Sequence, residues 1–118
     1  EVLRIIDYKT GQVKAHDLAV MNLQDSISDE KYSKALQVLL YGMMWQSQNR
    51  DQHPFEAGIV SFKNLSSGFI RFGIKEKPRA LPKDYSITSE LIAAFEEKLK
   101  QLLLEIFDPT IPFIEKLP

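Results

Sequence analysis

The chain has 118 residues, enough for one domain built around one core. Its composition, 44% hydrophobic and 26% charged, is that of a globular protein. A formal charge of -1 excludes a strongly basic nucleic-acid coat but not a local basic groove, and the lack of cysteine excludes a disulfide framework or a thiolate metal site within these residues.

Residues 2–8 are a near-continuous apolar run closed by Lys9-Thr10-Gly11. Such a run predicts a central strand, apolar on both faces. Gln12–Ala15 is expected to be a returning extension, and Asp17–Leu23 a short amphipathic turn. Residues 29–48 predict a helix, with Ser28 as N-cap and Asp29 and Glu30 at the positive end of its dipole. Its apolar side comprises Tyr32, Leu36, Leu39, Leu40, Met43 and Met44, and it should stop near Asn49. Two strands follow, Glu56–Phe62 and Gly68–Lys75, joined by the polar turn Lys63–Ser67. In the second, Ile70, Phe72 and Ile74 alternate with Phe69, Arg71, Gly73 and Lys75. After a proline-bearing loop, Lys77–Ser86, residues 89–107 predict a second helix. Thr88 is its N-cap, Ile87 and Ile92 form a hydrophobic staple, and Leu91, Phe95, Leu99, Leu102 and Ile106 form its buried stripe. Asp108-Pro109 ends it, and the tail Thr110–Pro118 is expected to lie extended. The order strand, helix, strand, strand, helix predicts an α/β fold, a mixed sheet with helices packed on it.

Asp7 and Lys9 carry the clearest chemical signal. Two apart on a strand, they leave the sheet on one face. Burying a carboxylate and an ammonium is costly unless they are paired or bound to something. They also sit at the C-terminal end of the strand, where open sheets place ligands. Phosphodiester hydrolysis needs this combination. The Asp7 oxygen is a hard ligand for Mg²⁺ or Mn²⁺, the carbonyl of Tyr8 can add to the metal shell, and Lys9 can orient water or offset phosphoryl charge. Taken alone, an Asp-x-Lys is more often an exposed ion pair at a strand end.

Context changes that balance. Ile5-Ile6-Asp7-Tyr8-Lys9-Thr10-Gly11 resembles the Asp-Tyr-Lys-Thr-Gly motif of RecB-like (AddB-type) nucleases in the PD-(D/E)xK superfamily. Gln37 and Tyr41, at i and i+4 on one helix face, match the Gln-x-x-x-Tyr motif that this family carries on the helix after its catalytic strand. The later Phe107-Asp108-Pro109 and Ile111-Pro112-Phe113 fit the family's ending. The resemblance implies a restriction-endonuclease-like core and a metal-dependent DNA exonuclease serving repair or recombination in the cytoplasm. It implies catalytic roles for Asp7, Lys9, Gln37 and Tyr41, metal ligation by Asp7 and Tyr8, and DNA as substrate, with a helicase or repair subunit as partner. The family's upstream acidic residue, a further metal ligand, does not occur before Asp7. The chain is therefore expected to be one partial domain, residues 1–118, lacking an N-terminal helix and first strands and inactive by itself. Any homo-oligomer would then arise from exposed sheet edges. The rival expectation is a catalytically dead scaffold that binds DNA or a protein partner. His16 and His53 read as surface histidines. Trp45 reads as a core or interface residue. Lys14, Lys34 and Arg71 are candidates for phosphate contact if they share the face of Lys9.

Overall fold

The apolar strand at the start and the run around Ile59 pair side by side. The computed structural model of the chain describes residues 2–50, 53–108 and 110. In it, β1 (Leu3–Lys9) runs parallel to β3 (Phe55–Ser61), in register from Leu3 opposite Phe55 to Lys9 opposite Ser61. β4 (Phe69–Arg71) adds antiparallel to β3, giving a mixed sheet in the order β1-β3-β4. A second small sheet pairs β2 (Ala19–Val20) with β5 (Gly73–Ile74) in parallel. Parallel neighbours need a crossover connection. Between β1 and β3 it is made by the short helix α1 (Leu23–Ser28) and the long helix α2 (Ser33–Asn49). A last helix, α3 (Ser89–Ile106), closes the described fold.

Strand alternation explains where the core sits. Phe55, Ala57, Ile59 and Ser61 share one face of β3, and all are essentially inaccessible. They join Ala35, Val38 and Leu39 of α2 and Ile92 and Phe95 of α3 in one hydrophobic cluster. Burying Phe55, Phe72 and Phe95 stabilises the fold by about 1.5–3 kcal/mol each. Gly42 permits the close approach of α2, since a Cβ there would lie 3.0 Å from the Phe55 ring. Trp45 packs at a tilt on the same ring, centroids 5.7 Å apart, as a core residue.

α3 begins where its cap requires. The Thr88 hydroxyl accepts from the Leu91 amide at 3.1 Å, and Ile87 and Ile92 are both buried. α2 ends at Asn49, as expected, with Arg50 in the left-handed region at φ 52° and its amide donating to Gln46 at 2.8 Å. No helix among the described residues is long and apolar enough to cross a membrane.

Several elements depart from the sequence expectation. The helix expected over 29–48 with Ser28 as cap is broken. Asn22 caps an earlier helix by accepting from the Asp25 amide, and Ser28 lies inside that helix, donating to the Gln24 carbonyl. Asp29 leaves helical geometry and caps a 3-10 turn, Glu30–Tyr32, before α2 starts at Ser33. Local side-chain capping thus outcompetes continuation of the helical pattern. Met44 is exposed rather than on the apolar side, and Ile106 is exposed beyond the core. Gln12–Ala15 is no returning strand; Ala15–Asp17 is a 3-10 turn, and the stretch read as one short turn holds β2 and only the first residue of α1.

The strand expected over Gly68–Lys75 splits at Phe72, whose amide donates to Ala57 at 2.8 Å. The two following residues cross to the other sheet. The alternation then reverses, so that Ile74 is exposed and Lys75 is buried. Gly73 is required at this crossing, because a Cβ would press on Pro82. Finally, β1 is an edge rather than a central strand among the described residues, with Leu3, Ile6 and Tyr8 exposed. Asp51 and residues 111–118, which include the Pro-Phe segment, lie outside the described residues.

Candidate active site

Asp7 and Lys9 leave β1 on the face covered by α2. The Lys9 ammonium lies 3.1 Å from Asp7 Oδ2 and donates to Gln37 Oε1 at 2.8 Å. The lysine is therefore held between a carboxylate two residues away and an amide 28 residues away. The approach to Asp7 is an ion pair by distance but not a directed hydrogen bond. Asp7 Oδ2 is buried and receives no hydrogen bond among the described residues. A buried carboxylate oxygen without a donor is costly, and it has a lone pair free for a further cation.

The loop after Lys9 is pinned from β3 by two side chains that the sequence reading did not single out. Ser61, opposite Lys9 and buried, donates its hydroxyl to the Gly11 carbonyl at 2.6 Å. Asn64 holds Val13 on both sides, accepting from its amide at 3.3 Å and donating to its carbonyl at 2.9 Å. The only sequence signal for either was a polar residue at the start of the Lys63–Ser67 turn or just before it. Their pinning keeps the strand end that carries Lys9 in one place.

Successive carbonyls of a strand point to opposite edges. The Lys9 carbonyl accepts from the Phe62 amide at 2.8 Å, toward β3. The Tyr8 carbonyl therefore points to the other, outer edge of β1. The Tyr8 ring leaves on the face opposite Asp7 and stacks on Phe62, centroids 5.7 Å apart and nearly parallel.

Tyr41 stands one helical turn beyond Gln37 and is exposed, with no hydrogen bond to its hydroxyl among the described residues. The geometry thus brings together Asp7, Lys9 and Gln37, and places Tyr41 on the same helix face without joining it to them. Arg71 is engaged elsewhere. It pairs with Glu56 at 2.8 Å and lies over the Tyr85 ring at 3.9 Å, while Arg4 shares the same carboxylate at 3.2 Å. A cavity of about 300 Å³ beside the Gln12–Ala15 segment is walled by Lys14, Asn64, Arg71 and Tyr85, not by Asp7 or Lys9.

Divalent-metal chemistry fits this donor set in part. Asp7 Oδ2 offers a hard oxygen, as Mg²⁺ or Mn²⁺ requires. Among the described residues no group of three or more His, Cys, Asp and Glu side chains converges to complete a shell.

The mixed α/β arrangement, with its mixed sheet and flanking helices, is compatible with a restriction-endonuclease-like fold. No curated protein and no solved structure matches the chain. Residues 1–116 match the family model of the PD-(D/E)XK nuclease superfamily. That match spans nearly the whole chain and includes the strand, helix and paired acid and lysine described above, and the chain belongs to the PD-(D/E)XK nuclease superfamily.

Proposed function

We propose that the chain carries the catalytic strand of a metal-dependent DNA nuclease of the RecB-like type, an exonuclease acting in repair or recombination. The observation that supports this reading is the position of the Lys9 ammonium, 3.1 Å from Asp7 Oδ2 and 2.8 Å from Gln37 Oε1. A bound divalent ion supplies Lewis-acid polarisation of the phosphate and a more acidic water. Asp7 and the Tyr8 carbonyl would hold it. Lys9 faces the same space and, through its remaining N–H groups, orients the attacking water and offsets charge developing on the phosphoryl oxygens. Gln37 keeps the lysine in that position. Tyr41, one turn on, extends the same face toward the strand.

One carboxylate is a poor metal site. The reading therefore calls for at least one more acidic ligand than the described residues bring together, and for weak metal binding in its absence. The same observation supports a second reading, in which the domain is a catalytically dead scaffold that binds DNA or a partner protein.

The test is cutting of linear DNA by the full-length protein and its Lys9→Ala variant, with Mg²⁺, with Mn²⁺ and with chelator. Metal-dependent cutting that Lys9→Ala reduces strongly, with folding intact, supports the nuclease. Cutting at the wild-type rate in Lys9→Ala overturns the role of the lysine. A folded protein that binds DNA but never cuts favours the scaffold.

A further inference from the structure

Lys75 is a buried cation with no ion pair among the described residues. It is 6% exposed, and its ammonium donates to the Pro78 carbonyl at 2.8 Å. An ammonium has three donors, so two remain. Leaving a buried cation without counter-charge is costly. Lys75 lines a cavity of about 270 Å³ whose other walls are His16, Lys31, Tyr32, Pro78 and Arg79. These residues come from three separate segments, around His16, Lys31 and Lys75–Arg79, so the fold and not one charge run brings them together. Among the described residues no carboxylate lines the cavity.

Three acids of the flanking segments have partners of their own. Asp17 accepts from the Lys14 amide and Asp29 from the Lys31 amide, while Glu76 pairs with Lys83 at 3.3 Å. Lys31, Arg79 and His16 likewise have no ion pair among the described residues. The Lys31 ammonium lies 5.2 Å from the centre of the Tyr32 ring, and Tyr32, 6% exposed, has no hydrogen bond to its hydroxyl among the described residues. The cavity thus collects three positive charges, a histidine and a hydroxyl, and among these side chains only the Lys75 ammonium has a hydrogen-bond acceptor among the described residues. A tetrahedral anion with several acceptor oxygens satisfies such a set better than a carboxylate with two.

We infer that His16, Lys31, Tyr32, Lys75 and Arg79 form a phosphate-binding pocket, distinct from the Asp7–Lys9 pair, that takes a backbone phosphate of a nucleic-acid strand. The choice of a strand as the source of the phosphate rests on the nuclease reading; the pocket itself does not. Tyr32 immediately precedes α2, and Gln37 lies five residues on, roughly 8 Å along the helix axis. A strand that lies along this helix from Lys9 would present a neighbouring phosphate to a pocket at this end of the helix.

The experiment titrates the metal-free full-length protein with inorganic phosphate, against chloride at matched ionic strength, and follows backbone amide resonances. A second arm measures binding of a fluorescent single-stranded DNA oligonucleotide as a function of salt. Both arms use wild type, Arg79→Ala, Lys31→Ala and Lys9→Ala. Arg79 and Lys31 lie at the surface, so these variants are expected to fold. Phosphate should shift the amides around Lys75 and Arg79 in wild type and in Lys9→Ala, and much less in Arg79→Ala and Lys31→Ala. For the oligonucleotide, each surface variant should lose about tenfold in affinity and about 0.7 in the slope of log affinity against log salt, the value for one phosphate contact on a single strand. A phosphate response without an oligonucleotide effect overturns the strand as source and leaves a site for a free phosphate ester. Equal responses in wild type, Arg79→Ala and Lys31→Ala overturn the pocket, whatever the cutting assay on Lys9→Ala shows.

Discussion

Gln37 accepts the Lys9 ammonium at 2.8 Å, and so a helix 28 residues away sets the position of the lysine on β1. The contact with Asp7 alone would hold that flexible side chain at one point only, since it is an ion pair by distance and not a directed hydrogen bond. The amide from α2 supplies the second point of attachment.

That relationship predicts unequal and non-additive losses. Lys9→Ala should lower the rate of cutting by about 100-fold or more, the scale of removing one donor to a charged transition state. Gln37→Ala should lower it by roughly tenfold, because it loosens the lysine by one hydrogen bond. The double variant should be no slower than Lys9→Ala, because Gln37 acts through Lys9. Steady-state rates on linear DNA with Mn²⁺ check this. Losses that multiply would show that Gln37 contributes independently.

Asp7 Oδ2 is buried without a donor, so the metal should be felt first at this atom. Mn²⁺ is expected to broaden the amide resonances of Tyr8 and Lys9 in the wild-type protein. Asp7→Asn should remove the broadening while leaving the rest of the spectrum in place. Broadening that persists in Asp7→Asn would place the ion elsewhere.

Asn64 grips both backbone groups of Val13, and its loss leaves a buried amide and carbonyl unsatisfied. Asn64→Ala should destabilise the protein by about 1–3 kcal/mol. Hydrogen exchange at Val13 should accelerate more than exchange in α3. Uniform acceleration across the chain would mean that Asn64 supports the fold globally rather than this loop.

Thr88→Ala removes the N-cap of α3 without touching the site. It should cost about 1 kcal/mol in urea unfolding and leave both cutting and the phosphate response unchanged. Gly58→Ala should be far worse. A Cβ there would collide with the carbonyl of Ile70 on β4, and nothing in a paired backbone can yield cheaply. A soluble Gly58→Ala protein with wild-type stability would contradict the β3–β4 register.

Much of this was legible in the chain itself. Period two on a strand is enough to put Asp7 and Lys9 on one face, and period 3.6 on a helix to put Gln37 and Tyr41 on another. The Thr88 cap and the stop of α2 at Asn49 are local events that depend on neighbours a few residues away, and they lie where the residues predict. The break at Asp29 was missed because Asn22 and Asp29 offer caps of their own within an otherwise helical pattern.

What tertiary structure decided depends on contacts between distant residues, which no local period reports. It joined Gln37 but not Tyr41 to the lysine, and it recruited Ser61 and Asn64 to pin the loop after it. It also turned the strand at Phe72 toward a second sheet. That single crossing inverts the alternation and carries Lys75 from a solvent-facing position to a buried one, beside an open cleft also lined by His16, Lys31 and Arg79. The sequence alone determined which side chains share a local face, because that follows from backbone geometry. Which faces meet was decided by the packing of β3, α2 and α3 around Phe55, where burial of apolar surface outweighs local preference.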